Sequence, residues 1–177
     1  MNEEQIQTVY QLTSFLLRYP KEEVRSVLPE LKEEILDLGQ NQVQDHLLRF
    51  IDVVQEIPAE EWIDHYIQLF DFGRTTNLYV TYLKLGEQRE RGLELLKLKN
   101  FYSKAGFEVI DKELPDYLPL MLEFSAHTWE EGIELLTTYE KAIREIRETL
   151  VKAQSFYTFL LDALLITMEE AGIYQTA

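Results

Sequence analysis

Residues 6–38, IQTVYQLTSFLLRYPKEEVRSVLPELKEEILDL, decide the fold class. Ile6, Val9, Tyr10, Thr13, Leu16 and Leu17 recur at steps of three and four, the spacing that lines one face of an α-helix, and Pro20 stops the run. Val24, Val27, Leu28, Leu31, Ile35 and Leu38 form a second stripe from about Lys21, with Gly39 where a C-terminal cap would sit. Val43, Leu47, Phe50, Ile51 and Val54 make a third. Pro58, followed by Glu60 and Glu61, suits the first turn of a fourth helix carrying Trp62, Tyr66, Leu69 and Phe70.

The period breaks at residues 71–77, where Gly73, Thr75, Thr76 and Asn77 predict a tight loop. A short helix is then expected from Leu78 to Lys84, and a longer one from Gly86 to Lys104, stopped by Gly106. In the longer helix Leu93, Leu96, Phe101 and Tyr102 should face inward, with Gly92 admitting a close neighbour. Leu114-Pro115-Asp116-Tyr117-Leu118-Pro119 reads as a stiff corner entering a helix through Phe124. Thr128, with Glu131 at the third helical position, predicts the cap of a long helix to about Gln154, and a last helix runs from Ser155 to Ala171. With no Val/Ile/Thr-rich alternation between turns, the expectation is all-α: one domain over residues 1–177, a bundle of eight or nine helices.

Composition narrows the function. The 177 residues carry 17 Lys and Arg against 32 Asp and Glu, a net charge of −15, which opposes binding to a phosphate backbone and favours basic partners. There is no cysteine, so disulfides, thiolate nucleophiles and cysteine-ligated metals are excluded. The acidic start Met1-Asn2-Glu3-Glu4 does not read as a secretory leader, and Phe156–Met168, interrupted by Asp162, is too short to span a bilayer. A cytoplasmic protein is expected. Residues 1–57 hold five cations and eleven anions, residues 58–107 seven of each, and residues 108–177 five and fourteen. The neutral middle reads first as a solvated helix face with alternating charges, and otherwise as arginines available to an anionic ligand.

Catalytic patterns are missing. Glu61 with His65 and Glu123 with His127 lie four apart but lack further ligands, and no metal site is expected. No nucleophile elbow and no phosphate-cradling glycine loop occurs. The unusual residues gather at the two breaks in helical period, Tyr66–Arg74 and Glu113–Pro119. Loops on a helical scaffold are where binding residues concentrate, although both stretches also read as structural corners.

At these residues the sequence resembles the delta-subunit (NarJ) family of nitrate reductase assembly chaperones, within the wider TorD/DmsD group of redox-enzyme maturation chaperones. The resemblance rests on Phe70-Asp71-Phe72-Gly73-Arg74, Leu78-Tyr79, Gly86-Glu87-x-Arg89-x-Arg91-Gly92, Tyr102 with Gly106, Glu113-Leu114-Pro115-Asp116-Tyr117-Leu118-Pro119 and Leu122-Glu123-Phe124, in that order. One position departs: Tyr117 stands where the family often has His.

The resemblance implies a non-catalytic cytoplasmic chaperone of nitrate metabolism that binds the apo alpha subunit of respiratory nitrate reductase. Binding would include the client's N-terminal segment, a remnant of a twin-arginine leader, and would precede membrane docking. The molybdenum–bis-guanine-dinucleotide cofactor would be delivered to the client and not held stably, with cofactor-biosynthesis proteins as further partners. The alternative is a maturation factor that itself binds nucleotide or the molybdopterin dinucleotide. No nucleic-acid or membrane-inserted partner is expected, and the chain would be a monomer or a homodimer swapped about residues 106–114.

A basic, partly apolar peptide needs an apolar groove with acidic rims. The residues expected to form it are Tyr66, Phe70, Phe72, Gly73, Arg74, Tyr79, Arg89, Arg91, Pro115, Asp116, Tyr117, Pro119 and Glu123. Within this set Asp116 would contact the peptide and Pro115 and Pro119 would fix its position. Arg74, Arg89 and Arg91 would brace the loop through carboxylates such as Asp71, or bind ligand themselves.

Overall fold

Helix α1 (Glu3–Leu16) opens with a reciprocal cap. Asn2 Oδ1 accepts from the Gln5 amide at 2.9 Å, and Gln5 Oε1 accepts from the Asn2 amide at 3.0 Å, satisfying two donors that a helix start otherwise strands. Its buried face carries the expected Ile6, Val9, Tyr10, Thr13 and Leu16. The computed structural model describes residues 1–71, 76–86, 88–110 and 112–174, with the backbone alone at Leu83.

The second stripe becomes two helices, α2 (Glu22–Ser26) and α3 (Leu28–Leu36). Pro29 is the cause: it has no amide hydrogen to offer the Arg25 carbonyl, and its ring crowds the preceding turn, so the helix restarts with proline in its first turn. Next come α4 (Gln42–Glu56), capped by Asn41, and α5 (Ala59–Tyr66). The last runs into a π-helical turn at Ile67–Asp71 that buries Leu69 and Phe70. The remaining helices are α6 (Tyr82–Leu85), α7 (Arg89–Lys104), α8 (Leu118–His127), α9 (Trp129–Lys152) and α10 (Thr158–Glu170). Among the described residues there is no strand, only an antiparallel bridge between Tyr79 and Tyr117, so the fold is all-α as expected.

The core lies between α1, α4, α8, α9 and α10: α1 packs along α8 and α10, and α10 packs on α4 and α9. Trp62 is seated in it by donating its indole N–H to the Tyr157 hydroxyl at 2.8 Å, beside the Phe50 ring. Among the described residues no helix is long and apolar enough to cross a membrane.

Four expectations are corrected. Leu78–Val80 forms a bend, a single bridge at Tyr79 and a turn beside the Asp116–Leu118 corner, so the helix expected over 78–84 shrinks to α6. Gly86, at φ +56°, closes α6 and does not begin α7, because that backbone conformation is accessible to glycine but not to a continuing helix. Thr128 precedes α9, yet its hydroxyl donates back to the Phe124 carbonyl and caps nothing. On α7 the buried residues are Leu98 and Tyr102, while Leu93 and Leu96 are exposed. The face bearing Tyr102 turns inward because its ring packs on Phe124 and its hydroxyl finds the Pro115 carbonyl at 2.8 Å.

Where α8 crosses α9 the helices touch through Gly132, at which an added Cβ would lie 2.8 Å from Ser125 Cα. A backbone atom cannot yield as a side-chain end does. Gly132→Ala should therefore lower stability by about 1–3 kcal/mol, read as a reduced urea midpoint; an unchanged midpoint would show that the crossing has slack.

Candidate functional site

The corner at residues 113–119 is pinned to residues 78–81. The Val80 amide donates to the Asp116 carbonyl at 3.0 Å, and the Leu118 amide to the Leu78 carbonyl at 2.7 Å. The Asp116 side chain reinforces this from inside. Its carboxylate accepts from the Thr81 hydroxyl at 2.6 Å, from the Thr81 amide at 3.3 Å, and from Arg91 Nη2 at 3.1 and 3.3 Å. Arg91 Nε also donates to the Thr81 hydroxyl at 3.1 Å, and its guanidinium lies 5.3 Å from the Tyr82 ring centre and 6.0 Å from that of Tyr79. Asp116 is 0% exposed, so an ionised carboxylate there depends on this full set of donors.

In front of the pin lies a cleft of about 200 Å³ lined by Tyr19, Tyr66, Phe70, Leu78, Tyr79 and Tyr117, with Asp71 and Glu113 on its edge. Each wall has a local origin. The π-helical turn buries Phe70 4.9 Å from the Tyr66 ring, and Tyr19, just before Pro20, meets Tyr66 edge-on at 5.6 Å. The bridge sets Tyr79 against Tyr117 at 5.2 Å, and the Tyr79 hydroxyl donates to Glu113 at 3.2 Å. Asp71 and Glu113 are exposed.

Burial pushes the Tyr66 and Tyr79 hydroxyls well above the ordinary tyrosine range, helped next by the neighbouring Tyr117 hydroxyl at Tyr66 and by the Glu113 carboxylate at Tyr79, and burial raises Tyr117 as well. All three stay protonated near neutral pH. The cleft therefore offers apolar ring faces, neutral hydroxyl donors and two carboxylates, a set that suits a cationic or amide-bearing segment with apolar side chains.

Of the residues expected from sequence, Tyr66, Phe70, Tyr79 and Tyr117 converge on the cleft. Asp116 and Arg91 stand behind it, bonded to each other. That corrects one expectation, since Asp116 presents no surface to a peptide as folded, while Arg91 braces the loop through a carboxylate as expected, with Asp116 in the place of Asp71. Pro115 and Pro119 are buried, their carbonyls accepting from Tyr102 and Ser14. Glu123 lines a separate groove between α1 and α8, paired with Arg18 at 2.6 Å, and Arg89 sits exposed on α7. Phe72, Gly73 and Arg74 lie outside the described residues.

Tyr19, Asp71, Leu78 and Glu113 were not among the expected site residues, Asp71 having been expected only as a partner for the arginines. Glu113 flanks the Leu-Pro-Asp corner and was within reach of the motif, whereas Tyr19 arrives from a distant helix end that no local pattern signals. Among the described residues no cluster of His, Asp or Glu could hold a metal ion.

Comparison with known proteins agrees with this architecture. The family described as nitrate reductase delta subunit matches residues 19–158. A Bacillus subtilis (strain 168) protein carrying the name of a nitrate reductase molybdenum cofactor assembly chaperone, NarJ, is 44% identical over 177 residues, covering 99% of this chain and 96% of its own. Nitrate reductase-like protein NarX of Mycobacterium tuberculosis is 29% identical over 165 residues, which are 93% of this chain but 25% of that one. A crystal structure described as a redox enzyme maturation protein from Archaeoglobus fulgidus superposes with a TM-score of 0.69 at 21% identity, covering 92% of this chain and 93% of that one. It shows the shared fold.

Removing one partner of the buried pair isolates the pin. Arg91→Met leaves the Asp116 carboxylate without its counter-charge and should destabilise the chain by about 3–5 kcal/mol. Arg91→Met with Asp116→Asn should cost clearly less than the two single losses added, in a double-mutant cycle read by denaturant titration. Strict additivity would contradict the pin.

Proposed function

From the premise that this chain belongs to the nitrate reductase delta subunit family, we propose that it is an assembly chaperone for the catalytic subunit of a respiratory nitrate reductase, acting in the cytoplasm before that subunit docks at the membrane. The cleft takes the N-terminal, leader-like segment of the apo subunit, and that engagement keeps the subunit competent to receive its molybdenum cofactor. The Bacillus subtilis relative, which matches this chain from end to end, carries the name of an assembly chaperone, which supports a role in maturation.

The observation that carries this reading is the five-aromatic cleft edged by Asp71 and Glu113. Rings accept the apolar side chains of an extended or helical segment, and the two carboxylates meet its basic residues from the rim, where they remain hydrated until the ligand arrives. The chain's charge of −15 draws a basic segment in from a distance, an effect that salt shortens. The alternative, a factor holding nucleotide or the molybdopterin dinucleotide, loses its best cation: Arg91 is committed to Asp116, and a phosphate placed in the cleft would face Asp71 and Glu113.

Calorimetric titration with a synthetic peptide from the N-terminus of the nitrate reductase catalytic subunit tests it. Saturable binding of about micromolar strength is expected, weakened about tenfold by Tyr79→Ala or by Asp71→Asn with Glu113→Gln, and weakened by salt. Binding that these variants leave untouched would move the site elsewhere. Failure of both the peptide and the whole apo subunit to bind would overturn the function.

A further inference from the structure

Phe15 is a large apolar ring left 37% exposed, and it stands in a groove of about 400 Å³ between α1 and α8. The near wall is Ser14, Phe15 and Arg18, from one face of α1 and the turn that follows it; Glu123 on α8 stands opposite. An ion pair crosses the groove, Arg18 Nη2 to Glu123 Oε2 at 2.6 Å, with 44% and 43% of the two side chains in solvent. So exposed a pair contributes little to stability, and its charges exchange partners at small cost.

This groove leads to the tyrosine cleft. Tyr19, which lines the cleft, follows Arg18 directly, and the Pro119 carbonyl, two residues beyond Tyr117, accepts from the Ser14 hydroxyl at 2.6 Å. The Tyr117 hydroxyl, raised by burial, also feels the Arg18 charge, which acts in the opposite direction. Groove and cleft are therefore neighbours at the end of α1, with Arg18 beside both. By itself the cleft is small: about 200 Å³, below the roughly 300–1,000 Å³ of ordinary ligand sites, so it takes part of a segment and not the whole. The groove adds an apolar ring in Phe15 and, in Glu123, a further carboxylate beyond Asp71 and Glu113.

We infer that the segment seated in the cleft continues past Tyr19 into the α1–α8 groove, where it lays an apolar side chain on Phe15 and sets a basic one on Glu123 in the place of Arg18. This rests on the reading of the cleft given above. Arg18 is then an internal stand-in for the ligand's cation: it holds Glu123 in the unliganded chain and turns to solvent when the segment arrives. Glu123 exchanges one counter-ion for another, so the charge step is nearly neutral and the gain comes from covering Phe15. The exchange also selects, because a segment with no cation at that point leaves Glu123 unpaired beneath it.

Calorimetric titration of the full chain with the synthetic N-terminal peptide of the nitrate reductase catalytic subunit tests this, with Tyr79→Ala as the reference for the cleft. Phe15→Ala should weaken binding about tenfold. Glu123→Gln should weaken it about two- to fivefold, whereas Arg18→Gln should strengthen it by a similar factor, since the ligand no longer displaces a competitor, and should leave the melting temperature nearly unchanged. In the Glu123→Gln background, Arg18→Gln should bring no gain. A gain that survives there comes from long-range charge alone and would overturn the inference. Affinities indifferent to the Phe15, Arg18 and Glu123 changes, while Tyr79→Ala weakens binding, would also overturn it and leave the cleft reading standing. If Tyr79→Ala is harmless, or the peptide does not bind, the cleft reading itself falls and this inference with it.

Discussion

The Asp116 carboxylate is withdrawn completely from water, and its three sources of hydrogen bonds, Thr81 hydroxyl, Thr81 amide and Arg91, come from 25 and 35 residues away. A buried charge tolerates no partial arrangement, because each missing donor leaves desolvation unrepaid. One side chain therefore fixes three things at once: the course of residues 78–81, the corner at 113–119 and the direction in which α7 begins. Tyr102, bonded to the Pro115 carbonyl, holds α7 from the other end. With these contacts made, Tyr79 and Tyr117 are set ring against ring, and Glu113 is left on the outside.

This separates two kinds of polar group in the same corner. Asp116 is structural, and its value is in specifying one arrangement of loops that apolar packing alone would leave degenerate. Asp71 and Glu113 stand exposed on the cleft edge, Glu113 accepting the Tyr79 hydroxyl. The tyrosines mediate: their rings are packed against core aromatics such as Tyr157, while burial keeps their hydroxyls protonated as donors.

The helical scaffold was legible because its signal is periodic. The stripe on α1, Ile6 to Leu16, needed only spacing, and the buried face is that stripe. Non-periodic features were read less well. Pro29 divided a helix whose apolar pattern ran straight through it. Leu78–Val80 reads as the start of a helix but is held out of it by backbone hydrogen bonds to a corner some forty residues away. Three rings of the cleft, Tyr66, Phe70 and Tyr117, lie at the breaks in period, where aromatics must pack against something, and Tyr79 followed from the resemblance. The roles expected of Asp116 and Asp71, peptide contact and partner of a bracing arginine, are reversed, because two carboxylates beside loops look alike until burial distinguishes them. Leu93 and Leu96 were read as core for the same reason: spacing shows that residues share a face, and it does not show what covers that face.

The central claim is that the client meets this chain at the cleft that the Asp116 pin holds in shape. Amide hydrogen exchange of the chain, alone and bound to the apo catalytic subunit of nitrate reductase, tests it most directly. Slowed exchange concentrated in residues 66–71, 76–82 and 113–118 is the expected result. Unchanged exchange there, with new protection instead along the α9–α10 opening lined by Arg144, Arg147 and Asp162, would contradict it.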